Sequence, residues 1–181
     1  MALLGAMAGG AGCYHGSARS ISPADLTREA GWVTVSGVPI VKQTADRDCG
    51  AAALAMVLAR WGVPASAADI LRAGPPDPGH GIGAGWLRDF TRQQGLHAFL
   101  IEGELDDLVK EAGANRPVLV GLVQRFGDRA YSHYEVVVGI NPRIRRVLLH
   151  DPARGLRQDS FAGFGTEWQA AGKLALVVAS P

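Results

Sequence analysis

Gln43-Thr44-Ala45-Asp46-Arg47-Asp48-Cys49-Gly50 runs directly into Ala51-Ala52-Ala53-Leu54-Ala55-Met56-Val57-Leu58-Ala59-Arg60-Trp61, and the reading of this stretch decides the fold. Leu54, Val57, Leu58 and Trp61 recur at helical spacing, so a helix is predicted over 51–61 with one face buried. The alanines raise helix propensity and leave little bulk, which lets neighbouring elements approach closely. Asp48 stands where an N-cap belongs, Gly62 is a natural residue just past the helix end, and Pro64 follows two positions on. Cys49 then opens the first turn, at the positive end of the helix dipole, where thiolates are favoured. Such a cysteine is a candidate nucleophile, and a nucleophile of this kind calls for a base.

Histidine serves as that base at neutral pH when a third group fixes its tautomer. Of the five histidines, His133 opens the run His133-Tyr134-Glu135-Val136-Val137-Val138-Gly139-Ile140, which reads as a strand. Asn141-Pro142-Arg143 turns the chain, and Arg146–Asp151 returns. In an antiparallel pair the start of one strand lies beside the end of the next, so His133 and Asp151 are expected at the same end of the sheet. His150 alternates to the opposite face, and His15, His80 and His97 read as surface or loop residues. Gln43 is the candidate oxyanion donor, bringing its side-chain amide beside the backbone N–H of Cys49.

The rest of the chain supplies the frame. Trp32–Val35 reads as a short strand and Val38–Gln43 as extended, since Pro39 forbids a helix interior. Ser66 caps a short helix. Residues 74–83 form a Gly/Pro-rich loop, and Trp86, Leu87 and Phe90 mark a helix that stops near Gly95. A strand over His97–Ile101, a helix over Glu104–Ala112 and a buried strand over Pro117–Val123 follow. Gln124–Ser132 reads as a polar loop and Asp151–Gly155 as a turn. A helix around Phe161–Ala171 and a strand over Leu174–Val178 close the chain. Helices first and an antiparallel sheet second is the α+β pattern, a helical half packed on a C-terminal sheet. Trp86 and Trp168 are expected in the core.

The 181 residues suit one compact domain plus an N-terminal tail. A net charge of +1 with no run of like charge argues against nucleic acid and against an electrostatic membrane partner. The two cysteines, Cys13 and Cys49, lie in unlike settings, and no histidines stand near them at zinc-site spacing. No disulfide, metal or cofactor is expected. No stretch approaches the ~20 apolar residues of a membrane span. Met1–Gly12 is small and apolar and resembles the end of a bacterial lipoprotein signal peptide, with Cys13 as the lipidated residue. Residues 1–22 are accordingly set apart as a signal-like tail and linker, Tyr14–Arg28 as polar connecting chain, and 23–181 as the folded domain. The expected location is the extracytoplasmic side of a bacterial cell envelope through a lipid anchor, or the cytoplasm if the segment is no signal.

Gln43 with Asp48-Cys49-Gly50-Ala51-Ala52-Ala53-Leu54, then His133-Tyr134-Glu135-Val136-Val137-Val138-Gly139, then Asp151-Pro152-Ala153-Arg154-Gly155 resemble the bacteriocin-processing cysteine peptidases, family 39 of the cysteine peptidases. These are papain-like domains that cut double-glycine leaders, usually at the N-terminus of peptide-exporting ABC transporters. The resemblance covers roughly residues 38–178. It implies a papain-like fold, Cys49 as nucleophile, His133 as general base and acid, Asp151 as its orienter and Gln43 as oxyanion donor. It further implies a peptide or protein substrate cut after small residues, and a peptide-export transporter as partner. These 181 residues hold no transporter membrane or ATPase domain. The alternatives are a catalytically silent domain that binds a peptide or transporter in the same cleft, and a cell-wall amidase or transamidase.

Overall fold

The computed structural model describes residues 13–26, 29–77 and 81–181. Its elements are β1 (Arg19–Ser20), α1 (Pro23–Leu26), β2 (Val33–Thr34), α2 (Cys49–Arg60), α3 (Ala67–Ala73), α4 (Ala84–Gln93) and β3 (His97–Glu102). There follow α5 (Leu105–Gly113), β4 (Val118–Phe126), β5 (Arg129–Asn141), β6 (Arg146–Asp151), β7 (Gly155–Ser160), α6 (Phe161–Ala170) and β8 (Leu174–Ala179). The strands build one sheet in the order β1-β7-β6-β5-β4-β8-β3, with β2 on the far end of β5. Every neighbouring pair is antiparallel.

The sheet is covered on both faces, which is why β4 reads as an unbroken apolar run. Leu119, Val136, Val138, Leu148 and Leu176 face one core with Leu54, Val57 and Leu58 of α2, Ile70 of α3 and Leu87 of α4. Val118, Val120, Leu122, Val137, Leu149 and Ala175 face a second core with Leu108 of α5 and with Phe164 and Trp168 of α6. The α+β class holds, but α5 and α6 lie across the sheet from the N-terminal helices, so the helices do not form one half. Trp168 is buried, and Trp86 packs half-buried against the first core.

Helix α2 is enclosed rather than one-sided: Cys49 through Leu58 are all buried. Its small residues make that possible; a Cβ on Gly50 would sit 3.2 Å from the Tyr134 ring. Its C-terminus closes as expected. Gly62 takes φ 72°, and the N–H groups of Gly62 and Val63 donate to Ala59 O and Leu58 O, each at 3.1 Å. The N-terminus differs. Asp48 is itself helical, at φ −89° and ψ −2°, and its side chain makes no cap. Its carboxylate accepts from Thr44 Oγ1 at 2.6 Å instead, which leaves the first N–H donors of α2 without a side-chain cap.

Three stretches depart from expectation. The predicted 124–132 loop is a hairpin, with Phe126 opposite Arg129 and Leu122 opposite His133. Gly127, at φ 55°, opens a two-residue turn of the kind that matches strand twist. Gly155–Ser160, read only as the way out of a turn, is strand β7. The supposed linker is folded: the N–H groups of Gly127 and His15 donate to Cys13 O at 3.1 Å and Arg125 O at 3.0 Å. Arg19 and Ser20 then pair with Gln158 and Arg157, and Ile21 N–H donates to Leu156 O at 3.2 Å. Residues 13–20 therefore form a strap across β4 and β7. The signal-like stretch 1–12 and His80 lie outside the described residues. Among the described residues no helix is long and apolar enough to cross a membrane.

Candidate active site

Helix α2 delivers the Cys49 thiol, 7% exposed, at its first residue. Strand β5 delivers His133 from a position just beyond the end of β6, whose last partner on β5 is Val136 opposite His150. With no β6 residue beside it, the ring reaches both the tip of α2 and the final residue of β6, Asp151. His133 Nε2 lies 2.9 Å from Asp151 Oδ1. That contact commits Nε2 to Asp151, and the Cys49 thiol lies close enough to the same ring to favour its charged form. The hairpin argument thus places His133 and Asp151 as expected, and the helix brings Cys49 to them.

Burial alone would push the His133 imidazolium down. The hydrogen bonds to Asp151 and Cys49 and the nearby Glu135 charge outweigh it, and the group is pushed up to about 10. Burial pushes Asp151 the other way, but the His133 bond and charge, the Ala153 N–H and Arg157 hold its carboxyl well below the usual carboxylate range. Its two oxygens are fully used. Oδ1 accepts from His133 and from Ala153 N–H at 2.7 Å, and Oδ2 accepts from Arg154 Nη1 at 3.2 Å and Arg157 Nη1 at 3.1 Å.

Gln43 is tied to the same turn through its backbone, its N–H donating to Pro152 O at 3.0 Å. Its side chain folds back: Nε2 donates to Ala45 O at 3.0 Å, and Oε1 is buried without a partner. One amide hydrogen stays uncommitted, since the group carries two. Cys13 is exposed at the β4–β5 hairpin tip and is a free thiol, as is Cys49. His15 and His97 are exposed. His150 points to the opposite core from Asp151, and its burial lowers its affinity for a proton.

Behind the pair lies a charged group that the sequence reading passed over. Glu135, fully buried, accepts from Gln124 Nε2 at 2.8 Å and from Arg157 Nη1 at 2.9 Å. Burial and the neighbouring Asp151 push its carboxyl up, against Arg157 and His133, to about 7. A charged residue inside an apolar strand demands a buried partner, and that signal was available at Glu135. His133, Glu135 and Asp151 bring their ligand atoms within 4.8 Å of one another. Nε2 faces Asp151 and Arg157 supplies a positive charge between the carboxylates, while Glu135 Oε2 is buried without a partner.

The fold, with its enclosed helix packed on an antiparallel sheet, gives the class: this is a cysteine peptidase of papain-like architecture. The chain belongs to the peptidase C39 family, whose model matches residues 37–181. It is 33% identical over 126 residues to an uncharacterised protein of Methanothermobacter marburgensis, covering 68% of this chain and 80% of that one. The fold is similar to the peptidase domain of Streptococcus ComA, a bifunctional ABC transporter involved in quorum sensing. There the TM-score is 0.64 at 24% identity, covering 80% of this chain and 99% of that one. It is also similar to a double-glycine-motif protease from an AMS/PCAT transporter, in complex with the leader peptide. For that structure the TM-score is 0.61 at 22% identity, covering 82% and 95% of the two chains.

Proposed function

We propose that the protein is an endopeptidase that cuts after small residues, as in a double-glycine leader, with Cys49 as nucleophile, His133 as base and acid, and Asp151 as orienter. The observation that carries this reading is one buried imidazole bonded through Nε2 to a buried carboxylate, with the thiol that opens α2 close enough to favour the ring's charged form. Cys49 Sγ attacks the scissile carbonyl, and the oxyanion forms against the uncapped N–H groups at the start of α2, with the free amide hydrogen of Gln43 as second donor. His133 gives its proton to the leaving amine, leaving an acyl-enzyme. It then takes a proton from the attacking water as the thioester is hydrolysed. The substrate class rests on the family and on the leader peptide bound by the AMS/PCAT protease. A peptide exporter fits as partner on the same ground. Cys13, exposed beside the hairpin, is a suitable anchor residue if lipidated, and intact-mass measurement on a membrane fraction tests that.

The deciding experiment presents leader peptides ending in Gly-Gly, the same peptides with bulky residues there, and peptidoglycan fragments. Cleavage of the first alone is expected, located by mass spectrometry. Cys49→Ala should abolish it while the fold is kept. Asp151→Asn should lower kcat by roughly 10²- to 10⁴-fold, because the tautomer is no longer fixed. Full turnover in Cys49→Ala, or cutting of the cell-wall fragments alone, removes this reading.

A further inference from the structure

The strap of residues 13–20 lies outside the segment matched by the family, which begins at residue 37, yet it reaches the catalytic carboxylate through one side chain. Arg157 is 1% exposed. Its Nη1 donates to Glu135 Oε1 at 2.9 Å and Asp151 Oδ2 at 3.1 Å, while Nη2 donates to the strap's Ala18 O at 3.1 Å. The Tyr14 ring, also on the strap, covers the guanidinium with its centroid 5.1 Å from Cζ. Tyr14 is itself fixed. Its hydroxyl donates to Glu167 of α6, and its ring packs 5.4 Å from that of Phe126. Ser17 Oγ donates to Asp159 of β7, so the strap is pinned on both sides of Arg157.

We propose that Arg157, clamped by this strap, is a positioning residue for Asp151, and that residues 14–20 are a working part of the catalytic unit rather than a tether. The inference rests on the assignment of Cys49, His133 and Asp151 made above. A carboxylate is rigid, so the direction of Oδ2 sets the direction of Oδ1, and Oδ1 is the atom that holds His133. With Nε buried without a partner, Arg157 can aim Oδ2 only while Nη2 and its ring face are occupied. Without Ala18 O and Tyr14 the guanidinium keeps the two carboxylates and gains room to swing between them. Arg154 still donates to Oδ2 at 3.2 Å, but it is a third exposed and loses one of the two rings over it, Tyr14 at 5.6 Å from its Cζ, keeping Phe126 at 5.0 Å. The groups facing the carboxylates are thus His133, Arg154 and Arg157, with Gln124 from β4 and Glu167 from α6 behind them.

The test uses the full chain in a Cys13→Ser background, so that alkylation reports on Cys49 alone. Three quantities are read: kcat and KM on a cleaved leader peptide, the rate of Cys49 alkylation by iodoacetamide near pH 7, and the NMR resonance of the His133 Nε2 proton. Tyr14→Ala should lower kcat and the alkylation rate by roughly ten- to a hundredfold, the scale of a slightly misplaced catalytic group. KM should stay within about twofold, and the Nε2 proton should shift or broaden. Tyr14→Phe keeps the ring over the guanidinium and should recover most of the loss. Arg157→Lys, whose point charge cannot bridge Ala18 O and both carboxylates, should resemble Tyr14→Ala. Folded Tyr14→Ala with unchanged kcat, alkylation and Nε2 resonance overturns the proposal, as does a defect confined to KM. If Tyr14→Ala does not fold, Arg157→Lys decides by the same readings. Should His133→Ala leave the alkylation of wild-type Cys49 unaltered, the site assignment fails, a result separate from any effect of the strap.

Discussion

At the scale of the residue, His133 carries two loads, and they separate by pH. Its protonated form is favoured in the fold, pushed up to about 10 from an ordinary 6.5. A raised value contributes stability that is complete below the unfolded value and lost as pH climbs through the folded one. Asp151 has the opposite sign: held below its ordinary 3.8, it stabilises above that value and loses its contribution as acid protonates it. The melting-temperature gap between wild type and His133→Gln should therefore be widest near pH 6 and narrow steadily toward pH 10, the window set by the His133 shift. Thermal melts across that range measure it, and a gap that does not change with pH contradicts the imidazolium. The placement of His133 beside Asp151, and of Cys49 at the start of α2, was legible in the sequence because a helix start and a hairpin set those positions without side-chain detail. The fold-back of the Gln43 amide onto Ala45 O was not, because a flexible side chain in a loop has no periodicity to read.

At the scale of the element, α2 shows what periodicity delivers and where it stops. Its C-terminal turn followed from Gly62 and Pro64. Its N-terminal cap did not follow from Asp48, because Thr44 offered the carboxylate a competing donor. Gly62 gives a clean test of the part that was legible. A Cβ there would meet nothing within 4 Å, so the only strain in Gly62→Ala is the left-handed backbone at φ 72°. The expected cost is about 1 kcal/mol in urea unfolding, with peptide cleavage unchanged because the far end of the helix holds the thiol. A neutral result would mean the turn relaxes into another closure. Strand β7 escaped the reading for a related reason. Its buried Arg157, Gln158 and Asp159 are polar, and a strand that buries paired charge lacks the apolar alternation by which strands are found. The β4–β5 extension was hidden likewise, since Arg125, Arg129 and Tyr131 are largely exposed and read as loop.

At the scale of the whole molecule, the sheet does more than support the helices: β4, β5, β6 and β7 each contribute one polar residue to a single buried group, Gln124, Glu135, Asp151 and Arg157. The sequence disclosed the α+β class and the meeting of helix and sheet. It could not disclose this group, because its members come together only through strand order and through a strap set aside as linker. The arrangement predicts that stability and turnover part company. Arg157→Met leaves Glu135 and part of Asp151 without their counter-charge and should cost roughly 3–5 kcal/mol. Glu135→Leu with Arg157→Met removes both ends of that pair. Asp151 then still has His133, Arg154 and the Ala153 N–H, so the double variant should regain about half of the loss, with Gln124 left short of an acceptor. Urea unfolding of the four members of the cycle measures the coupling. Turnover should not return with stability, because Oδ2 of Asp151 has lost the donor that aims it. If the double variant cleaves peptide as fast as wild type, Arg157 serves only to neutralise Glu135, and Asp151 is oriented without it.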